Sequence, residues 1–136
     1  MRSAMPEKTY LFVYGTLRRA GGMERLLAGQ ALFVADGCFQ GRLYRVADYP
    51  GAVPSEDPAE LVRGEVYELV DAEAVLSRLD SYEECGPGFP EPAEYIRHQE
   101  EIHLADGHRC RAWIYLYNHP VADLPLIPSG DFLALP

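Results

Sequence analysis

Residues 10–18 read Tyr10-Leu11-Phe12-Val13-Tyr14-Gly15-Thr16-Leu17-Arg18, an apolar run that stops abruptly at a glycine followed by a small polar residue. This pattern predicts a buried strand that leads into a loop. Glycine at that point lets the backbone come close to a ligand and direct its N–H groups at it, which stabilises negative charge without a charged side chain. An ordinary strand and turn gives the same pattern. The stretch therefore indicates a binding loop only together with a catalytic partner elsewhere.

The length and the apolar content of the chain fit one domain, residues 1–136, that is long enough to bury a proper core. No apolar run approaches the roughly 20 residues needed to span a bilayer, and residues 1–6 lack the hydrophobic core of a signal peptide. We therefore expect a cytoplasmic protein with no membrane partner. Cys38, Cys85 and Cys110 are an odd number of cysteines without a CxxC pair, which predicts reduced thiols rather than a disulfide framework or a structural zinc site.

The charge balance is acidic, with 12 basic residues against 21 acidic residues and a formal net charge of −9. A phosphate backbone would be repelled over most of such a surface, so nucleic acid is not expected as a partner. All basic residues except Lys8 are arginines, and arginine favours fixed, bidentate contacts with carboxylates. Some of these arginines are therefore expected either to be structural or to bind an acidic small molecule.

Alternating apolar residues and turn signals predict a chain of strands with two helices. The Asp106-Gly107 step is a strong hairpin signal between the last two strands. Gly37 separates two predicted strands, and residues 48–54 are predicted as a loop. The predicted strands are residues 10–14, 31–36, 38–46, 62–70, 95–104 and 109–117. The predicted helices are residues 23–28 and 71–83. Irregular surface segments are predicted for residues 54–60 and 121–136.

The helix predicted over residues 71–83 places a carboxylate on its buried face. Its apolar stripe, at 100° per residue, consists of Val75, Leu76, Leu79 and Tyr82. Glu83 falls inside this stripe, whereas Glu84 is rotated to the opposite side and can be solvated. Burial and the negative end of the helix dipole both raise the expected pKa of Glu83, which predicts a general base. The alternatives are a helix that frays before Glu83, or a pair between Glu83 and Arg97 or Arg111.

Four short motifs follow one another along most of the chain. They are Tyr14-Gly15-Thr16-Leu17-Arg18, Leu79-Asp80-Ser81-Tyr82-Glu83, Tyr95-x-Arg97 and Ile127-Pro128-Ser129-Gly130-Asp131-Phe132. This combination resembles the gamma-glutamylcyclotransferase superfamily, and within it the small bacterial, gamma-glutamylamine cyclotransferase-like (AIG2-like) branch. The resemblance implies an α+β fold, in which a small mixed β-barrel of about five to seven strands is flanked by short helices.

The resemblance also implies an enzyme that releases an amine or amino acid from a gamma-glutamyl compound as 5-oxoproline forms, with no cofactor and no metal. The glutamate matching Glu83 would take a proton from the substrate's α-amino group, and the freed amine would attack the γ-carbonyl of the same molecule. Folding one molecule into a near-attack shape supplies much of the catalysis. Backbone N–H groups of Gly15, Thr16 and Leu17 are the candidates for gripping the substrate and the developing oxyanion.

Three further residues are weaker candidates for substrate contacts. The hydroxyl groups of Tyr14 and Tyr115 could close the pocket, although both tyrosines could equally be packed in the core. Arg97 could orient the catalytic base or hold the substrate's α-carboxylate, with a solvated strand charge as the alternative. Trp113 and Tyr117 share a strand face with Tyr115, and such an aromatic ladder is more typical of a core than of a stacking platform.

Two departures from the family pattern bear on the substrate. Glu84-Cys85 stands where many relatives carry a glycine after the glutamate, and Phe132 replaces a tryptophan that is common in the terminal motif. Neither change removes the proposed base, but both can reshape the pocket. The identity of the gamma-glutamyl amine or peptide, and the choice between monomer and homodimer, are left open.

The alternative functions belong to other classes. A non-catalytic module could keep the same pocket to bind a glutamyl-like metabolite, because a fold does not fix a function. A thiol hydrolase using Cys85 lacks a local nucleophile signature. The four histidines lack metal-ligand spacing and are predicted to be surface residues. They are His98, His103, His108 and His119.

Overall fold

Five strands close into a barrel, and a sixth strand and a helix lie outside it. The computed structural model describes residues 8–15, 30–82 and 93–132. The elements are β1 (Thr9–Val13), β2 (Ala31–Arg45), β3 (Pro50–Pro54), β4 (Leu61–Leu69), α1 (Ala72–Tyr82), β5 (Tyr95–Leu104) and β6 (Arg109–Tyr117). Hydrogen-bonded neighbours follow the order β3-β2-β4-β1-β6-β5, and a further pairing of β2 with β5 closes the barrel.

The barrel is mixed because β1 and β6 run parallel, whereas the other pairs are antiparallel. β1 lies between β4 and β6, so the strand that leads into the Gly15 loop is fixed on both edges. This architecture confirms the small mixed β-barrel and the α+β class that the resemblance implied.

Alternating side chains of β1 enter two different hydrophobic cores. Phe12 lies inside the barrel and is 1% exposed, together with Ile102 and Ile114, which are fully buried. Leu11 and Val13 belong to the other core, between the barrel wall and α1. The strand that delivers the Gly15 loop is therefore held by packing on both of its faces.

The predicted central helix is confirmed as α1, Ala72–Tyr82. Asp71 caps its N-terminus, because the backbone N–H of Ala74 donates to Asp71 Oδ1 at 3.4 Å. The predicted buried stripe is also confirmed for Val75, Leu76 and Leu79, which are 0%, 8% and 1% exposed. Glu83, the proposed base, lies outside the described residues.

Gly37 does not end a strand, so the predicted division of residues 31–46 into two strands is wrong. β2 runs unbroken from Ala31 to Arg45, with a register shift between Phe33 and Ala35. A Cβ atom on Gly37 would lie 3.0 Å from Cγ2 of Ile102 and 3.1 Å from the carbonyl oxygen of His103. The glycine therefore serves the close approach of β5 where the barrel closes.

The loop predicted over residues 48–54 is wrong for its second part, because Pro50–Pro54 form β3 and pair antiparallel with β2. β3 ends the order of strands. Proline is tolerated on an edge strand, because one side of such a strand has no ladder hydrogen bonds to make. A proline at each end of β3 made the segment resemble a loop.

The predicted hairpin between β5 and β6 is confirmed, and both strands have their predicted ends. Gly107 has φ of 92°, and Asp106 Oδ1 accepts a hydrogen bond from the backbone N–H of His108 at 2.9 Å. These features are those of an Asp-Gly turn, in which glycine takes the left-handed conformation.

The segment after β6 crosses the barrel without a helix or strand as far as the structure describes it, through residue 132, in agreement with the prediction for this part. The backbone N–H of Ile127 donates to the carbonyl of Leu43 at 2.8 Å, and that of Arg63 donates to the carbonyl of Gly130 at 2.7 Å. The guanidinium of Arg45 lies 5.8 Å from the ring centroid of Phe132, so the residue that departs from the family pattern packs on the barrel. The predicted helix over residues 23–28 lies outside the described residues.

Candidate active site

The Gly15 loop begins between β6 and β3. Tyr14 is 7% exposed, and its hydroxyl donates to the carbonyl oxygen of Tyr115 at 2.5 Å and accepts from the backbone N–H of Ala52 at 3.2 Å. A Cβ atom on Gly15 would lie 3.1 Å from Cγ of Pro50. The start of the loop is therefore clamped to two neighbouring strands, whereas Thr16 and Leu17 lie outside the described residues.

Arg97 and Tyr115 converge on one carboxylate, that of Asp80 in α1. Arg97 Nε donates to Asp80 Oδ1 at 2.8 Å and Arg97 Nη2 to Asp80 Oδ2 at 3.0 Å, which makes a bidentate pair. The hydroxyl of Tyr115 donates to Asp80 Oδ1 at 2.6 Å. Because Arg97 and Tyr115 are cross-strand partners on β5 and β6, one side chain of α1 is bound to two adjacent strands.

Arg97 is not a solvated strand charge. Its side chain and that of Asp80 are each 25% exposed, and the Arg97 guanidinium lies 4.4 Å from the ring centroid of Trp113. A guanidinium over an indole ring gains a cation–π interaction. The arginine is therefore fixed between a carboxylate and an aromatic ring, which is a preorganised arrangement.

The sequence analysis missed Asp80, although it quoted the motif that contains it. The available signal was its spacing: Asp80 stands four residues after Leu76, so it borders the buried stripe of the helix. An aspartate on a helix is usually solvated, and only its partners on β5 and β6 distinguish it. Asp80 thus joins two of the predicted site residues, Arg97 and Tyr115, to the helix.

Glu65 is a buried carboxylate that the sequence analysis also missed. It is 5% exposed, faces Val13 in the register of β4 with β1, and accepts a hydrogen bond from the hydroxyl of Tyr67 at 2.9 Å. Its neighbours on β4 alternate between the two cores. The signal available in the sequence was a glutamate in the middle of a strand whose flanking residues are apolar.

The aromatic residues of β6 pack as predicted for a core. Tyr115 is 6% exposed, and Trp113 and Tyr117 pack against the same core. Tyr117 meets Tyr95 edge to face, with ring centroids 5.6 Å apart, and the Tyr95 hydroxyl donates to the carbonyl of Pro50 at 2.5 Å. This packing holds β3 and the start of the Gly15 loop beside β6.

We expect Tyr115→Phe to destabilise the protein by about 1 to 2 kcal/mol, because the ring is kept while a hydrogen bond to a charged acceptor is lost. Urea unfolding of the two proteins measures the difference. Tyr117→Phe is the matched control, since its ring packs on the same core, and it should cost less than half as much. Equal losses in the two variants would mean that the bond to Asp80 contributes nothing of its own.

Tyr49 is a third tyrosine whose hydroxyl is bound to a carboxylate. Its hydroxyl lies 3.0 Å from both oxygens of Glu94, and burial together with this hydrogen bond raises the pKa of Tyr49 from 10.0 to about 12. The Tyr49 hydroxyl therefore keeps its proton in the folded protein at a pH at which it has lost this proton in the unfolded chain. The stability that Tyr49 contributes is fully present below pH 10 and is lost between pH 10 and about 12.

We expect Tyr49→Phe to make unfolding less sensitive to pH in this window. Urea unfolding at about pH 9 and about pH 11 checks this, because the slope of stability with pH follows the difference in bound protons between the two states. The wild type should lose more stability than the variant between the two pH values. The same loss in both proteins would show that Tyr49 does not titrate as its surroundings indicate.

Three of the histidines lie beside carboxylates. A ring nitrogen of His98, of His103 and of His108 lies 3.9, 3.9 and 3.0 Å, respectively, from a carboxylate oxygen of a nearby residue. Within residues 8–15, 30–82 and 93–132, no group of three or more histidine, cysteine, aspartate or glutamate side chains could hold a metal ion. A cleft of about 550 Å³ has a lining that includes Cys38, Arg63 and His103; of the predicted site residues that the structure describes, Tyr14, Gly15, Arg97 and Tyr115, none lines it. Over the same ranges, no helix has the length and hydropathy that crossing a bilayer requires.

Solved structures share this closed mixed barrel. An AIG2-like protein from Mus musculus superimposes with a TM-score of 0.71 at 23% identity, over 90% of this chain and 88% of that chain. The solution NMR structure of ytfP from Escherichia coli superimposes with a TM-score of 0.63 at 34% identity, over 93% of this chain and 97% of that chain. The fold is therefore that of AIG2-like proteins.

The chain belongs to the gamma-glutamyl cyclotransferase, AIG2-like family, whose family model matches residues 11–134. The gamma-glutamylcyclotransferase family protein YtfP of Escherichia coli is 36% identical over 123 residues, which cover 90% of this chain and 95% of that protein. The protein of the same name from Citrobacter rodentium is 35% identical over 123 residues, covering 90% and 94% of the two chains. The resemblance stated from the motifs is confirmed at the level of the family.

Proposed function

We propose that this protein is a gamma-glutamylcyclotransferase that cyclises the gamma-glutamyl moiety of a small gamma-glutamyl amine or peptide to 5-oxoproline and releases the amine. The observation that carries the proposal is the family match over residues 11–134. The geometry supports it, because Tyr14, Tyr115, Arg97 and Asp80 form one connected set next to Gly15.

In the proposed reaction, Glu83 removes a proton from the substrate's α-amino group. Glu83 takes this proton from the neutral amine as the amine nitrogen forms a bond to the γ-carbonyl carbon, and the carbonyl electrons move onto the carbonyl oxygen. When the carbonyl re-forms, the bond from this carbon to the leaving nitrogen breaks, and Glu83 returns the proton to that nitrogen. A positioned acid–base group of this kind contributes roughly 10² to 10⁴ in rate, and joining two atoms of one molecule spares the cost of bringing two reactants together.

The Gly15-Thr16-Leu17 backbone is the proposed oxyanion and substrate grip. What supports this role is the clamp on Tyr14, since hydrogen-bond donors stabilise a transition state when they are fixed before it forms. Arg97 and Tyr115 are the proposed contacts for the polar groups of the glutamyl moiety, with Arg97 directed at the α-carboxylate. Their shared bond to Asp80 supports this, because it holds the two side chains beside each other.

The test is an incubation of the purified protein with gamma-glutamyl amino acids, gamma-glutamyl amines and glutathione, with 5-oxoproline measured by mass spectrometry. Stoichiometric release of 5-oxoproline and free amine from at least one compound is the expected result. If no compound turns over while a gamma-glutamyl compound raises the melting temperature, the protein is a binding module for glutamyl-like metabolites and the proposed reaction is wrong.

A further inference from the structure

We infer that Asp80 is a positioning residue, which anchors the C-terminal turn of α1 to β5 and β6 and so fixes where the chain delivers Glu83. This inference rests on the proposed function only for its catalytic consequence. Glu83 is bonded directly to Tyr82, the last residue of α1. A displacement of this turn is therefore passed to the proposed base through a single peptide bond.

The anchor consists of three hydrogen bonds from two strands. Arg97 on β5 supplies the bidentate pair at 2.8 and 3.0 Å, and Tyr115 on β6 supplies the bond at 2.6 Å. Two parallel N–H···O bonds restrict both the distance and the orientation of a carboxylate. The third bond comes from a different strand, so the Asp80 carboxylate is held by both β5 and β6.

The position of Asp80 on the helix supports an anchoring role. Within residues 72–81, the buried apolar side chains end at Leu79, so Asp80 provides the next contact toward the C-terminus. The last turn of α1 carries no basic residue, and an aspartate there is unfavourable to the helix itself, because its charge lies near the negative end of the dipole. The presence of an aspartate at this position is therefore explained by its contacts with the barrel, since it does not stabilise the helix itself.

The chain offers a control in a second arginine–carboxylate pair. Arg42 Nε lies 2.8 and 2.7 Å from the two oxygens of Glu60, with the Arg42 side chain 50% exposed. Arg42 is in β2 and Glu60 directly precedes β4, so this pair involves neither α1 nor any proposed site residue. Exposed pairs of this type contribute little to stability. The control variant Glu60→Gln therefore shows what the loss of a salt bridge does when the pair lies outside the proposed site.

The experiment compares Asp80→Asn and Glu60→Gln with the wild type by three measurements. Hydrogen exchange in the peptide covering the end of α1 and tryptophan emission report the anchor, since Trp113 is the single tryptophan of the chain and lies under Arg97. Steady-state kinetics on the compound that turns over reports catalysis. We expect Asp80→Asn to speed exchange at the end of α1, to shift the emission, and to lower kcat by roughly 10- to 100-fold with KM changed less than about threefold, because small displacements of a catalytic group are costly.

Glu60→Gln should match the wild type in all three measurements. Full kcat in Asp80→Asn, or a rise in KM at unchanged kcat, would overturn the positioning role. If the wild type turns over no compound, the proposed function fails separately, and unchanged exchange and emission in Asp80→Asn would still overturn the anchor. Should Asp80→Asn not fold, Arg97→Lys keeps the charge and loses the bidentate geometry. Faster exchange at the end of α1 is expected from it, and exchange equal to that of the wild type would overturn the anchor.

Discussion

Glu83→Gln should lower kcat by roughly 10² to 10⁴-fold, because a general acid–base group is lost while the amide keeps nearly the same size. KM should change little, since the substrate would be held by the Gly15 loop and by Arg97. The measurement is the rate of 5-oxoproline release under saturating substrate. This is the largest effect on activity that we expect from a single substitution in this chain.

Glu84→Gln is the control, because it removes the adjacent carboxylate that periodicity assigns to the solvated side. It should retain wild-type kcat within about twofold, a difference of only a few tenths of a kcal/mol in barrier. Comparable losses in the two variants would mean that the assignment of the base to Glu83 is wrong. Full activity in Glu83→Gln would lead to the same conclusion and would point to another proton acceptor.

Gly130→Ala should destabilise the protein by roughly 2 to 5 kcal/mol, more than any other substitution proposed for this chain. Gly130 has φ of 69°, and the left-handed conformation costs a residue with a Cβ roughly 1 to 2 kcal/mol. A Cβ at this position would lie only 1.8 Å from the carbonyl oxygen of Leu61, so the backbone has to move, which typically costs a further 1 to 3 kcal/mol, roughly. The hydrogen bond from Arg63 to the Gly130 carbonyl would be disturbed as well.

Gly107→Ala separates the cost of the positive φ from the cost of the steric clash. Gly107 also has a positive φ, of 92°, but a Cβ there would meet nothing within 4 Å. It should therefore cost only about 1 kcal/mol. Thermal unfolding is a suitable measurement, because a difference of about 2 kcal/mol corresponds to roughly 5 to 10 °C in Tm for a domain of this size. Equal melting temperatures in the two variants would contradict the steric account of Gly130.

Local patterns were sufficient for β5, β6 and α1. Alternation over residues 95–104 and 109–117, with an Asp-Gly step between them, predicted a hairpin whose ends the structure reproduces. The apolar stripe predicted the helix in the same way. In these elements each residue's local preference agrees with its place in the fold.

The errors occurred where a residue's role depends on a distant partner. Gly37 resembles a strand break, but it serves the approach of Ile102 and His103 from β5. The prolines that bound β3 resemble loop residues, and only the edge position beside β2 makes a strand possible. No local periodicity contains this information.

The site was predictable in its parts and not in its connections. Tyr14, Gly15 and Arg97 were singled out from motifs and Tyr115 as a tyrosine that could close the pocket, and the structure brings these four residues together. Asp80, which binds Arg97 and Tyr115, was not predicted as a site residue. Only its partners on β5 and β6 distinguish it from a solvated aspartate on a helix. The roles assigned to these residues remain predictions for the experiments above.

The parallel pairing of β1 with β6 also affects how the protein acquires its structure. Leu11 in the first strand is matched with Trp113 in the last one, so this contact closes a loop of nearly the whole chain. Such non-local pairing carries a large loop-closure entropy and slows folding. During synthesis, β1 leaves the ribosome long before β6 exists, so the pairing of the strand that precedes the Gly15 loop has to wait until β6 has been made.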